Sequence, residues 1–233
     1  MRYNNNCTTV AIDGPDLAGK STLIESIKEA IEKHNLKVKV VHFPRYDKPI
    51  GKLIESILNN KKIKIDPYSF QSLYFADIND FCNTELKKLK KEYDFIIYDR
   101  FYYSTIVYSK VLGLSIEQLA FLSKDIIKPD LFINITSDIA ITIERLLSRN
   151  LPPDRFESQN EFVSKTIDQY KNVNTIIFDI IKFCDEHSLK REPFNEKSIK
   201  IHAKKSHKEI LEEALNFIVD LDDLKLREEK NVI

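Results

Sequence analysis

Apolar positions along this chain alternate between short continuous runs and helical spacing. Residues 8–13, Thr-Thr-Val-Ala-Ile-Asp, form one such run, which predicts a buried strand. Leu23, Ile24, Ile27, Ala30 and Ile31 then recur at i, i+3, i+4, predicting a helix over 21–34. Residues 38–43 read as a second strand stopped at Pro44. Pro49 suits the first turn of a helix carrying Ile50, Leu53, Ile54 and Ile57, and Asp66-Pro67 supplies an N-cap and first-turn proline for a long helix to about residue 91. Residues 95–98 predict a third strand ending at Asp99-Arg100, and 131–135 a fourth, followed by a helix to about residue 149. A Pro-Pro loop over 150–154 precedes a second long helical pattern over 159–186. Residues 198–203 read as a weaker fifth strand. Ser115/Gln118 and Ser206/Glu209 have capping-box spacing, the latter opening a last helix with Ile210, Leu211, Leu215 and Ile218.

Strands alternating with helices imply parallel β-α-β units and a doubly wound α/β sheet. No repeat and no Pro/Gly/Ser-rich linker divides the chain, so residues 1–222 are expected to form one domain, with a charged tail over 223–233. Composition narrows the function. With 42% hydrophobic and 31% charged residues, disorder is excluded. Lys+Arg and Asp+Glu both total 36, so no net charge draws the chain to nucleic acid polymers or anionic membranes. No run reaches the ~18 apolar residues of a membrane span, and the N-terminus lacks the apolar core of a signal peptide. Cys7, Cys82 and Cys184 have no zinc-type spacing, which fits reduced thiols and a cytoplasmic location. Glycine is scarce: four, where usual composition gives roughly 16. Two of them, Gly14 and Gly19, lie in one segment.

That segment, Gly14-Pro15-Asp16-Leu17-Ala18-Gly19-Lys20-Ser21, matches G-x-x-x-x-G-K-[ST], a phosphate-binding loop, between a predicted strand and a predicted helix. Its glycines let backbone N–H groups converge on anionic oxygens, and the helix N-terminus adds positive potential. Lys20 is expected to reach the terminal phosphates, and the Ser21 hydroxyl to ligate Mg2+. Asp99, at the end of an apolar strand, is the matching candidate metal carboxylate; a turn aspartate is the alternative. Asp16 lies inside the loop, where it needs a partner such as Mg2+ or a sugar hydroxyl, unless it is a solvated turn residue.

The segment 11–22 through Thr22 resembles the thymidylate kinase family. So do Phe43-Pro44-Arg45-Tyr46 with Pro49-Ile50-Gly51, Asp99-Arg100-Phe101 with Ser104 and Tyr108, Pro129-Asp130-Leu131, and Asp154-Arg155-Phe156-Glu157. The matches span about residues 8–220 in family order. The resemblance implies a P-loop nucleoside triphosphate hydrolase-like three-layer fold with a five-stranded parallel sheet and a short lid over about 149–158. It implies γ-phosphoryl transfer from ATP to dTMP with Mg2+, in a homodimer. Gly14, Pro15, Leu17, Ala18, Gly19, Lys20, Ser21 and Thr22 would then hold ATP, with Lys204 and Lys205 near the adenine. Asp16 would touch the acceptor sugar and Arg100 would bridge the acceptor phosphate and the transferred group. Phe43 and Tyr46 would flank that phosphate, Phe75 would stack on the base, and Tyr108 would crowd the 2′ position. Arg149 and Arg155 would close over the phosphates from the lid.

Three positions depart from the family pattern. Leu17 stands where many members keep a basic residue, which shifts catalytic charge onto Arg149 and Arg155. Asn79 stands four residues after Phe75, where the family reads thymine with Arg, and Thr105 stands where Gly or Asn is common near the base. Alternatives are therefore a kinase of another acceptor, such as dUMP, dGMP or a deoxynucleoside, and a nucleotide-binding paralogue without turnover. No Asn-Lys-x-Asp guanine signature supports a GTPase.

Overall fold

The computed structural model describes residues 7–60, 62–148 and 160–218. Its centre is one parallel sheet of β1 (Thr8–Asp13), β2 (Val38–His42), β3 (Phe95–Asp99), β4 (Leu131–Thr136) and β5 (Lys197–His202), in the order β2-β3-β1-β4-β5. β1 pairs with β3 from Thr8↔Phe95 to Ile12↔Asp99, and with β4 from Val10↔Leu131 to Asp13↔Asn134. The apolar runs of β1, β3 and β4 lack alternation because both faces are covered, whereas in the edge strands β2 and β5 apolar residues alternate with exposed Lys and Ser. Val10, Ile12, Phe95 and Ile97 pack toward α1 (Lys20–Glu32) and α10 (His207–Ile218). Ala11, Ile96 and Tyr98 pack on the other side, against α3 (Pro67–Thr84), α5 (Tyr102–Val111), α6 (Ile116–Ser123) and α9 (Val173–Glu186). α2 (Pro49–Asn59) and α7 (Ile139–Ser148) complete the regions near the sheet's carboxyl edge. The strand order reverses at β1, so its carboxyl end opens into the crevice between β3 and β4 where ligands of open α/β sheets bind.

The two long helical patterns each break in two. α3 stops at Thr84 and α4 (Leu86–Glu92) restarts after Glu85; α8 (Asn160–Lys171) and α9 are divided at Asn172. At each break, polar side chains bond carbonyls of the last turn. Asn83 Nδ2 donates to the Asn79 carbonyl, Thr84 Oγ1 to that of Asp80, and Asn172 Nδ2 to that of Asp168. Such local bonds compete with helix continuation. α5 showed no amphipathic signal because it is buried nearly all round, from Tyr102 to Val107 and again at Ser109. Both predicted capping boxes form. Arg149, Arg155, the expected lid and the charged tail lie outside the described residues. Among the described residues, no helix is long and apolar enough to cross a membrane.

At the opposite, amino edge of the sheet, Lys128 lies 4.4 Å from the Tyr102 ring centroid and 4.5 Å from that of Phe194, and its Nζ donates to the Ser123 carbonyl at 2.7 Å. Burial pulls its pKa from the ordinary 10.5 down to about 8, against the opposing pull of Glu196. Below pH 8 this lysine is protonated in both folded and unfolded chains, so the cost of burying its charge is fully felt. Between about 8 and 10.5 the unfolded chain holds the extra proton, and stability rises with pH. The unfolding free energy of the wild type, from urea titrations, is expected to climb relative to Lys128→Met between pH 8 and 10, with the gap flat below pH 7.

Candidate active site

The loop after β1 passes against β4. A Cβ on Gly14, whose φ is +155°, would lie 2.3 Å from the Ile135 carbonyl oxygen, so glycine is required there. The loop then turns into α1 at Lys20. Lys20 is buried, and its Nζ donates to the Pro15 carbonyl at 2.7 Å. Burial lowers its pKa to about 8, and Arg100 adds repulsion, while Asp16, Asp13 and Asp99 pull the other way. Leu17 takes a left-handed backbone (φ +62°), and its carbonyl accepts from Arg145 Nη1 at 2.7 Å.

Lys20, Ser21, Asp99, Arg145 and Lys205 line one cavity over this loop. A second cavity lies between α3, α5 and the β2–α2 connection, lined by Phe43, Pro44, Tyr46, Gln71, Tyr74 and Thr105 among others. Asp16 and Arg100 line both cavities. The Asp16 carboxylate accepts from Arg100 Nη2 and, at 2.6 Å, from the Tyr108 hydroxyl. Burial works against the Arg100 charge, but Asp16 holds its pKa well above the ordinary arginine value, so the guanidinium stays charged. Arg100 also donates to the Gly14 carbonyl at 3.3 Å and to Ser104 Oγ at 3.1 Å. Its own backbone is left-handed (φ +63°), a conformation that costs a side-chain-bearing residue about 1–3 kcal/mol and is held here by its surroundings.

Those surroundings centre on Asp13, the fully buried last residue of β1. Its carboxylate accepts from the backbone N–H of Phe101 at 2.8 Å, from Ser104 Oγ, and from the Tyr170 hydroxyl at 3.3 Å. Burial raises its pKa, while Arg100, Ser104 and Lys20 oppose the shift. Asp99, at the end of β3, bonds His42 Nδ1 at 2.9 Å through Oδ2 and faces the same cavity as Ser21.

Of the sequence-predicted residues, Asp16 to Thr22, Asp99 and Arg100 line the first cavity, which Gly14 and Pro15 do not, while Asp16, Phe43, Tyr46, Arg100, Thr105 and Tyr108 gather around the second. Lys205 lines the first cavity and also pairs with Glu213, whereas Lys204 pairs with Asp138. α3 stands one residue out of the predicted register. Phe75 is buried in the core, and the Asn79 carbonyl is held by Asn83; the residues of α3 that line the cavity are Gln71, Tyr74 and Ile78. Arg145 was missed, although it lies only four positions before the predicted Arg149 in the sequence. So was Arg45, which is buried and donates to Asp77 (3.0 and 3.1 Å), Asp80 (2.6 Å) and Glu85 (2.8 Å). That fan of bonds ties the wall carrying Phe43, Pro44 and Tyr46 to α3. Gly51 sits against the same wall, where a Cβ would lie 2.0 Å from the Arg45 carbonyl oxygen.

The thymidylate kinase family model matches residues 12–214 of this chain. The chain belongs to the thymidylate kinase family. It is 32% identical over 182 residues to the probable thymidylate kinase 1 of Saccharolobus solfataricus, covering 76% of this chain and 90% of that protein. It is 26% identical over 225 residues to the thymidylate kinase of Mesoplasma florum, covering 95% and 99%. Among solved structures, the thymidylate kinase of Candida albicans superimposes with a TM-score of 0.67 at 20% identity over 94% of this chain and 93% of that one, a likeness of fold. A thymidylate kinase is a nucleoside monophosphate kinase, so this chain is an enzyme of that class.

Removing Asp77, the one fully buried partner, leaves the buried Arg45 charge to the exposed carboxylates of Asp80 and Glu85. Asp77→Ala is expected to lower the unfolding free energy by about 3–5 kcal/mol, read by urea denaturation. Asp77→Asn, which keeps an acceptor for Arg45, is expected to lose less.

Proposed function

We propose that the protein transfers the γ-phosphoryl group of ATP to dTMP, giving ADP and dTDP. The observation carrying this reading is that two cavities meet at one aspartate and one arginine. One cavity carries a phosphate-binding loop and the other has aromatic walls. An acceptor phosphate entering from the second would meet a donor phosphate held in the first, with Arg100 between them.

In this reading Lys20 and the loop amides hold the donor phosphates. Arg100, charged at all working pH values, pairs with the acceptor phosphate and the transferring group, a task suited to a planar guanidinium. The acceptor's phosphate oxygen forms the new bond to the γ-phosphorus as the bond to the β-phosphate bridging oxygen breaks and ADP leaves. Catalysis is positioning and charge neutralisation, without a covalent enzyme intermediate. Asp16, oriented by Arg100 and Tyr108, offers its carboxylate to the acceptor's sugar hydroxyl, and the Tyr108 ring narrows the space beside it. The hard oxygen donors of Ser21 and Asp99 share the donor cavity and fit Mg2+, which binds through few protein ligands and several phosphate oxygens. When bound, Mg2+ would neutralise charge on the β- and γ-phosphates. Arg149 and Arg155 are assigned to the lid that excludes water, and the family resemblance supports a cytoplasmic homodimer.

A coupled ADP-release assay across nucleoside monophosphates tests this reading. Turnover with dTMP is expected to exceed that with other acceptors, and Lys20→Ala to reduce kcat at least 1,000-fold, about 4 kcal/mol of transition-state stabilisation. Nucleotide binding without acceptor-dependent ADP release would favour the non-catalytic alternative. Arg145→Ala, which removes the guanidinium bonded to the loop at Leu17, is expected to raise KM for ATP about tenfold, with a smaller change in kcat.

A further inference from the structure

The acceptor cavity has its charged groups, Asp16 and Arg100, where it meets the phosphate-binding loop. Away from them its walls include the apolar side chains of Leu58 and Ile78 and the ring of Tyr74. Gln71 stands among these as a carboxamide only 2% exposed. A buried amide facing an apolar cavity must find partners, because each unmet group costs free energy. One partner is supplied by the protein: Ser109, fully buried on α5, donates its hydroxyl to Gln71 Oε1 at 3.4 Å. That bond orients the amide and occupies one of the two lone pairs of Oε1, and the two hydrogens on Nε2 have no acceptor among the described residues.

We propose that Gln71 reads the base of the acceptor by donating from Nε2 to a ring carbonyl oxygen. It selects a 4-keto pyrimidine over a 4-amino one. The inference rests on the reading of this cavity as the nucleotide acceptor site. A keto oxygen accepts this hydrogen bond. An amino group at the same position would set donor against donor and leave both buried and unmet, which is the arrangement that gives a hydrogen-bonding site its discrimination. Ile78, one of the α3 residues in the same wall, has no polar atom to share the task. Thr105, four residues before Ser109 on α5, presents a hydroxyl that donates or accepts and so imposes no such sign.

The test measures binding and turnover of dTMP, dUMP and dCMP by the full chain, using titration calorimetry beside the ADP-release assay. The variants are Gln71→Met, which keeps length without polarity, and Ser109→Ala, which frees the amide to rotate. Thermal melts confirm that each folds. Gln71→Met is expected to weaken dTMP and dUMP binding about 10- to 100-fold and to leave dCMP within about twofold, so the keto preference collapses through KM rather than kcat. Ser109→Ala is expected to narrow the same preference by raising dCMP affinity, an effect that a purely structural role would not produce. A dTMP-to-dCMP ratio unchanged in both variants, or an equal loss for all three nucleotides, would overturn the assignment. If the wild type bound none of the three, the acceptor reading of the cavity would fail first, and this inference with it. If it bound and turned over dTMP but Gln71→Met kept the ratio, the kinase reading would stand and only the role of Gln71 would fall.

Discussion

The site depends on one buried carboxylate. α5 begins at Tyr102 without a capping side chain of its own, and its preceding residue, Phe101, has no oxygen to offer. Asp13, 88 residues earlier in the chain, takes that role by accepting from the Phe101 backbone and the Ser104 hydroxyl. A negative group at a helix N-terminus satisfies open N–H donors and complements the helix dipole. In doing so Asp13 welds the end of β1 to the start of α5, and the residue pinched between them is Arg100. The left-handed backbone of Arg100 is the local consequence. Its amide is tied to the Ile12 carbonyl at 3.1 Å, and its guanidinium is turned back over the loop. A side chain placed this way from both ends has little freedom left to lose when a phosphate arrives, which is the meaning of preorganisation.

Much of this arrangement was legible in the sequence, for reasons that can be named. β1, β3 and β4 were readable because a strand covered on both faces must be apolar throughout, and the edge strands β2 and β5, partly exposed, from the apolar residues that alternate with Lys and Ser along them. The loop from Gly14 to Ser21 was readable because backbone approach to phosphate restricts residue choice at fixed spacing. Asp99-Arg100 and Tyr108 followed from family pattern. The register of α3 did not, because Tyr74 and Phe75 are adjacent aromatics on a helix that packs one face on the core and another on the cavity. Periodicity shows that both faces are apolar without saying which ring looks where. The breaks at Glu85 and Asn172 escaped because apolar spacing continues across them, while the side-chain bonds that stop each helix leave only a faint composition signal. Arg45 was quoted in its motif but its role was hidden, since its partners lie 32 to 40 residues away and nothing local marks them.

Arg45 also shows how a charge can serve a neutral site. Its guanidinium lies beneath the wall of the acceptor cavity and spends its donors on Asp77, Asp80 and Glu85. Buried ion pairs add little net stability but fix one geometry against alternatives. Here the geometry fixed is the spacing between the β2–α2 connection and α3, the two walls that carry Phe43 and Tyr74 along the second cavity. Gly51 sets the same spacing from the other side by letting α2 close on the Arg45 carbonyl. The scarcity of glycine in this chain is thus informative at that point as well as in the loop.

Helices α7 and α8 stand on either side of residues 149–159. Near the end of α7, Arg145 holds the carbonyl of Leu17 in the phosphate-binding loop. At the end of α8, the Tyr170 hydroxyl meets Ser104 at 2.8 Å, and its carbonyl is held by Asn134 Nδ2 at 2.8 Å. One flank is therefore fastened to the donor half of the site and the other to the foundation of Arg100. The described ends of α7 and α8 are thus anchored at the phosphate-binding loop and at the Asp13–Ser104 cluster respectively, two points joined in turn by Arg100.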